Sequence, residues 1–403
     1  MDYNKKRWTV LIISCIINIC IGTGYAWSVF AGPWAEKLGV TSAAIAFTVC
    51  NAVGPVTMIC GGKINDALGP KWVIFAGGVM FGGGAFLAGF STSLTFLVIA
   101  YGVIFGLGMG LVYSCTIGNT VKFFPDKKGM VGGLTTATYG LGSVILAPVA
   151  QKMVEAMGIA STFKVLGIIY AVIICGGAFL VVACPAGFLP EGYTPPAPAA
   201  GQKGPEDKDW KQMLADPMFY ILFIMLTCGA FFGLMMISQC KAVSMNMVGF
   251  EAATAATIVS VLALCNAAGR VVCGFISDVI GRINTLTISM VMAVVGLAMI
   301  YVSNGSAALF VVGICFVGFC FGSFMGVYPG FTAEQFGMKN NGINYGIMFI
   351  AFGVAGVLGP MIMASRFEAE QSYLSSIFLA IILAVAGLVL TFIYRVMSKA
   401  KKA

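Results

Sequence analysis

Long apolar runs of about 20 residues, separated by short polar breaks, occupy almost the whole chain. That length matches the hydrocarbon core of a bilayer, not the striped helix of a soluble globule. Twelve runs are legible, approximately Trp8–Phe30, Ser42–Ile64, Trp72–Phe90, Leu94–Val121, Met130–Val154 and Lys164–Cys184, then Met218–Cys240, Ala252–Ile276, Thr285–Val302, Ala307–Phe331, Ile343–Ser365 and Tyr373–Tyr394. Each predicts a helix, because a lone segment in lipid must satisfy its backbone hydrogen bonds internally. The first run is too long for a signal-peptide core and lacks a convincing small-residue cleavage site, so it is read as a spanning helix. The expected fold is an all-α membrane protein of twelve transmembrane helices.

The polar breaks supply the orientation. Of 23 Lys and Arg residues, seventeen fall on one side, from Lys5, Lys6 and Arg7 to Lys399, Lys401 and Lys402, and five (Lys37, Lys152, Lys164, Lys241, Arg366) on the other. Cytoplasmic loops collect positive charge, so both termini are expected in the cytoplasm, with the chain in a bacterial inner membrane. The remaining cation, Arg270, belongs to neither side.

A proline- and charge-rich stretch, 185–216, reads as a cytoplasmic linker between an N-terminal six-helix half, 1–184, and a C-terminal half, 217–403. The halves look like repeats. Gly62-Lys-Ile-Asn-Asp66-Ala-Leu-Gly69-Pro-Lys71 recurs 212 positions later as Gly274-Phe-Ile-Ser-Asp278-Val-Ile-Gly281-Arg282, and Gly129, Gly140 and Pro148 find counterparts in Gly342, Gly353 and Pro360. Parallel halves related by an axis along the membrane normal follow from such symmetry. Gly359-Pro360 and Pro148 are read as equivalent hinges, and Gly102, Gly106 and Gly110 as a close-packing face within the bundle, with a dimer interface as the competing reading.

Composition narrows the function classes. At 59% hydrophobic and 9% charged, the chain cannot be a water-soluble globule, and its +8 net charge sits in loops, where it reports topology instead of a nucleic-acid surface. Thirteen cysteines lie in or beside apolar runs without C-x-x-C spacing and read as small packing residues. Histidine is absent. No metal site or cofactor is expected, and no nucleophile with a base suggests an enzyme.

Arg270 lies eight residues before Asp278, about 12 Å inside its helix end at 1.5 Å per residue. A cation at that depth costs at least about 2.5–3.5 kcal/mol, so it normally faces a cavity and marks a functional site. Snorkelling to the cytoplasmic face, or pairing with Asp278, is the bland alternative. Asn266, one turn earlier, is placed to orient the guanidinium. In the repeated loops, Asp66 and Asp278 are suited to accept from neighbouring helix N-termini or basic groups, and with Lys71 and Arg282 they are read as a conformational latch.

These G-x-x-x-D-x-x-G-[RK] loops resemble the signature of the major facilitator superfamily. Gly24-Tyr25-Ala-Trp27, Lys122-Phe-Phe-Pro-Asp126-Lys-Lys-Gly129 leading to Thr138-Tyr139-Gly140-Leu-Gly142, and Asn344-Tyr345-Gly346 resemble, in order, its oxalate/formate antiporter family. The resemblance covers nearly the whole chain. It implies transport of small carboxylates with Arg270 as the anion-binding group, and aromatic residues Tyr25, Tyr113, Tyr139, Phe321 and Phe349 around it. Ordinary packing is an equal reading for the phenylalanines, and Tyr328 is assigned to cavity or interfacial belt. In the oxalate-transporting member a lysine supplies a second charge on the eleventh helix, where this chain has Phe352. With one cation, a monocarboxylate of the formate, lactate or pyruvate type is neutralised one to one. No Asp or Glu lies at the midplane, which favours anion exchange over proton symport, with oxalate/formate exchange and a non-transporting receptor as further alternatives. A monomer with lipid as its other partner is expected.

Overall fold

The computed structural model describes residues 3–40, 43–194 and 207–400; the side chains of Tyr25 and Asp66 are outside the described set. Helices account for nearly all of it. In the N-terminal half, α1 runs from Tyr3 to Ile21, tightens into a 3₁₀ turn over Gly22–Ala26 and continues as Trp27–Leu38. Then come α2 (Ala44–Leu68), α3 (Pro70–Ala88) and α4 (Leu94–Phe123). The stretch Lys128–Ala178 is helical throughout except at Gly158, which separates α5 (128–157) from α6 (159–178). Gly158 has φ 75° and ψ 161°, a backbone state that residues with a side chain rarely adopt. The polar break expected over 155–163 is therefore reduced to one residue, and the eleven apolar stretches long enough to cross a membrane, one of them broken in two, supply twelve helices.

The C-terminal half repeats the plan with α7 (Pro217–Val248), α8 (Ala252–Ile280), α9 (Arg282–Tyr301), α10 (Ala307–Phe336), α11 (Asn341–Glu370, interrupted at Phe349) and α12 (Leu374–Ala400). Pro148 and Pro360 lie inside helices that continue past them. Large apolar side chains such as Val172, Phe378 and Val396 remain exposed on the outer faces, the pattern of a surface solvated by lipid.

The connection between the halves is more ordered at its ends than a free linker. On one side Asn119 donates to the Val182 carbonyl (2.8 Å) and accepts from Cys184 N (3.1 Å), and Phe188 packs on Tyr3 and Phe123. On the other, Asp209 and Gln212 form a reciprocal cap on the short helix Trp210–Ala215, and Asp216 caps α7 while pairing with Lys208. The Lys208 carbonyl accepts from Asn340 (3.2 Å) and Asn344 (3.0 Å) at the start of α11. Each described end is thus fastened to its own half, while residues 195–206 lie outside the described set.

Glycine contacts set how the helices approach one another. Gly102, Gly106 and Gly110 of α4 lie against Val49, Cys50 and Gly54 of α2, so this face is used inside the bundle. Across the halves, Gly62 meets Gly342 and Gly129 meets Gly274, the same pair of contacts with the halves exchanged. The sequence repeat therefore survives as a spatial one.

Candidate functional site

Arg270 sits on α8 where that helix is threaded between two others. A methyl added to Gly133 of α5, or to Gly326 of α10, would collide with the Arg270 carbonyl, and one on Gly322 would collide with that of Asn266. Backbone contact on both sides buries the helix, and the arginine is only 1% exposed. Its side chain turns back toward the start of α8, as helical side chains do. Nε donates to Asn266 Oδ1 (3.0 Å) and Nη1 to the Thr136 carbonyl of α5 (2.6 Å). Asn266 thus orients the guanidinium. No ion pair of Arg270 occurs among the described residues, and Asp278 is engaged elsewhere, so Arg270 neither snorkels nor pairs with it.

The guanidinium faces a small cavity between the two halves. Asn51, Gly54, Pro55 and Met58 of α2, Met109, Gly110 and Tyr113 of α4 and Tyr139 of α5 form the N-terminal wall; Arg270, Met325 of α10 and Phe349 and Phe352 of α11 form the other. Tyr113 and Tyr139 stand with ring centroids 4.8 Å apart, and Phe349 stacks on Phe352 at 4.6 Å. Tyr139 Oη donates to Met109 Sδ (3.3 Å). A thioether is a weak acceptor, so a stronger one entering the cavity can take that hydrogen bond.

Five sequence-expected residues, Arg270, Tyr113, Tyr139, Phe349 and Phe352, come together here. Phe321 does not line the cavity. Its ring is fully buried against Gly233 and stacks behind Phe352 at 6.4 Å, because α7 has no side chain at that glycine to hold it off. Tyr328 belongs to neither cavity nor belt: it is buried in the C-terminal half and donates to the Leu222 carbonyl (2.8 Å). Tyr25 lies outside the described side chains. Asn51 and the methionines at 58, 109 and 325 were not anticipated. One signal for Met58 was available, since the 212-residue offset makes it the counterpart of Arg270.

The repeated loop of the C-terminal half makes a specific contact across the halves. Asp278 accepts from Gly129 N (2.9 Å) and Met130 N (2.8 Å), two of the orphan donors at the start of α5. Arg282 holds the carboxylate at 2.7 Å, reaches Glu334 at 2.6 Å and donates to Ser277 Oγ (2.5 Å). Glu334, 52 positions beyond Arg282, is a partner that sequence spacing does not reveal. Lys71 does not take the matching place. Its Nζ lies over the rings of Trp72 (5.2 Å) and Phe179 (4.7 Å) in its own half, Pro70 having set it one position out of register with Arg282, and Asp66 is outside the described side chains.

Beside this architecture, the sequence itself matches the Major Facilitator Superfamily over residues 12–360 and again over 242–403. The chain belongs to the Major Facilitator Superfamily. It is a multi-pass membrane transporter, and the family is one of non-enzymes. An uncharacterised transporter of this superfamily from Escherichia coli strain K12, YhjX, is 31% identical over 88% of this chain and 87% of its own. The oxalate:formate antiporter of Oxalobacter formigenes is 28% identical over 88% of this chain and 83% of its own. The crystal structure of the superfamily transporter FucP in the outward conformation superposes with a TM-score of 0.75, covering 96% of this chain and 99% of that one at 12% identity, which is a likeness of fold alone.

Proposed function

We propose that this transporter is a secondary carrier of small monocarboxylates, working by alternating access and exchanging one anion for another, with Arg270 as the carboxylate-binding group. The observation that carries this reading is a fully buried guanidinium, oriented by Asn266 and Thr136, whose Nη2 has no partner among the described residues, at a cavity whose other walls are mostly apolar. A carboxylate there forms a charge-assisted pair and neutralises the buried charge. Tyr113 and Tyr139 stand within the same cavity as hydroxyl partners, and Phe352 leaves no second cation for a dicarboxylate. Likeness to the oxalate:formate antiporter supports the carboxylate class.

The moving bodies are residues 1–184 and 217–403, joined by 185–216, in an inner membrane with both termini cytoplasmic. Asp278 capping α5 fastens the two halves together at the lysine-rich end. Arg270→Ala is expected to abolish uptake of labelled monocarboxylate in proteoliposomes with unchanged expression and melting behaviour. Arg270→Lys should retain a few percent at roughly constant folding, since a point charge does not reproduce the planar fork. Near-normal uptake by the alanine variant contradicts the assignment.

A further inference from the structure

Asn51 is the one polar group of the cavity that the carboxylate reading leaves without a task. Its Nδ2 donates to the Phe47 carbonyl one turn back (3.0 Å), which fixes the amide on the α2 face that lines the cavity. That bond uses a single N–H. The other N–H and Oδ1 make no hydrogen bond among the described residues, and apart from Tyr113, Tyr139 and Arg270 the rest of the lining is glycine, proline, methionine and phenylalanine.

The repeat fixes the depth of Asn51 relative to that of Arg270. Met58 is the counterpart of Arg270, so Asn51, seven residues earlier, is about 10 Å farther along the helix axis from the Asp278 end at 1.5 Å per residue. The Arg270 side chain recovers roughly one turn, about 6 Å, of that distance by folding back to Asn266. Along the helix axis alone, the amide therefore lies at least about 4 Å beyond the guanidinium. A short acid seated on Arg270 shares this cavity with the amide.

We infer that Asn51 is a specificity-determining residue that reads a hydroxyl or oxo group on carbon 2 or 3 of the bound acid, so that the carrier selects substituted short monocarboxylates over unsubstituted ones of equal size. The inference rests on the Arg270 reading. A neutral amide offering both a donor and an acceptor serves either substituent, and a second carboxylate gains no counter-charge from it. Discrimination of this kind arises because a polar group built to be paired is left unpaired by the analogue lacking the partner.

The test uses the full-length detergent-purified protein and two matched probes, lactate and propionate, with binding measured by thermal shift and by competition for transport. The wild type is expected to bind lactate about tenfold more tightly than propionate, the scale of one oriented hydrogen bond. Asn51→Leu, close in volume, should lower lactate affinity about tenfold and leave propionate within about threefold, bringing the ratio near one. Equal affinities in the wild type, which need no variant to fold, overturn the inference, as does an unchanged ratio in Asn51→Leu or an equal loss of both acids. In each of those cases a loss of both probes in Arg270→Ala leaves the carboxylate reading standing. Binding of both probes unaffected by Arg270→Ala overturns that reading and this inference together.

Discussion

Arg270 holds its position because three groups on different segments agree on it. The Asn266 amide is on the same helix face, the Thr136 carbonyl comes from the other half, and the flanking glycines let backbone approach where a side chain would intrude. The stacked pair Phe349 and Phe352 closes the opposite wall without a charge. Phe352→Lys supplies the missing cation, so it should shift preference toward a dicarboxylate such as oxalate and weaken monocarboxylate uptake at least tenfold, because an empty second site leaves a buried charge unpaired. Competition of oxalate against labelled monocarboxylate in proteoliposomes measures this. Unchanged selectivity contradicts the position of Phe352 in the substrate wall.

Among the helices, α5 and α8 carry the contact across the halves that is proposed to act as a latch. Gly129 and Gly274 allow the backbones to touch, and the Asp278 carboxylate receives two N–H groups of the α5 N-terminus while Arg282 and Glu334 complete the charge network. In the proposed latch these bonds break when the halves part at this end. Hydrogen bonds to a charged group contribute about 1.5–3 kcal/mol each, so Asp278→Asn should shift the conformational equilibrium by at least tenfold. Turnover is expected to fall severalfold with little change in the apparent affinity for substrate. Exchange rates measured over a range of substrate concentrations separate the two, and a defect confined to affinity would count against a latch.

For the whole molecule, the proposed exchange turns on the charge that would cross the membrane with the cavity. With Arg270 unpaired the empty cavity carries one positive charge, and with a monoanion bound it carries about none, so reorientation is easier when loaded. Obligatory exchange is the expected behaviour. Proteoliposomes loaded with unlabelled acid should take up labelled acid at least tenfold faster than empty ones, with little response to a proton gradient. Rapid uptake into empty vesicles accompanied by internal acidification would replace exchange with symport.

The apolar runs and their period determined the helix count, the class and the division into related halves, because lipid leaves the backbone few alternatives and each run must span alone. The depth of Arg270 along α8 was likewise legible, since rise per residue is a local property. Its partners were not. Thr136 is 134 positions away and Glu334 is 52 beyond Arg282, and no local pattern records which faces two halves bring together. The same limit sent Phe321 behind the wall and Lys71 onto the aromatic rings of its own half. Rotation of each helix about its axis is chosen by packing against its neighbours. For that reason the tertiary structure alone decided that Asn51 and the methionines of α2, α4 and α10 face the cavity.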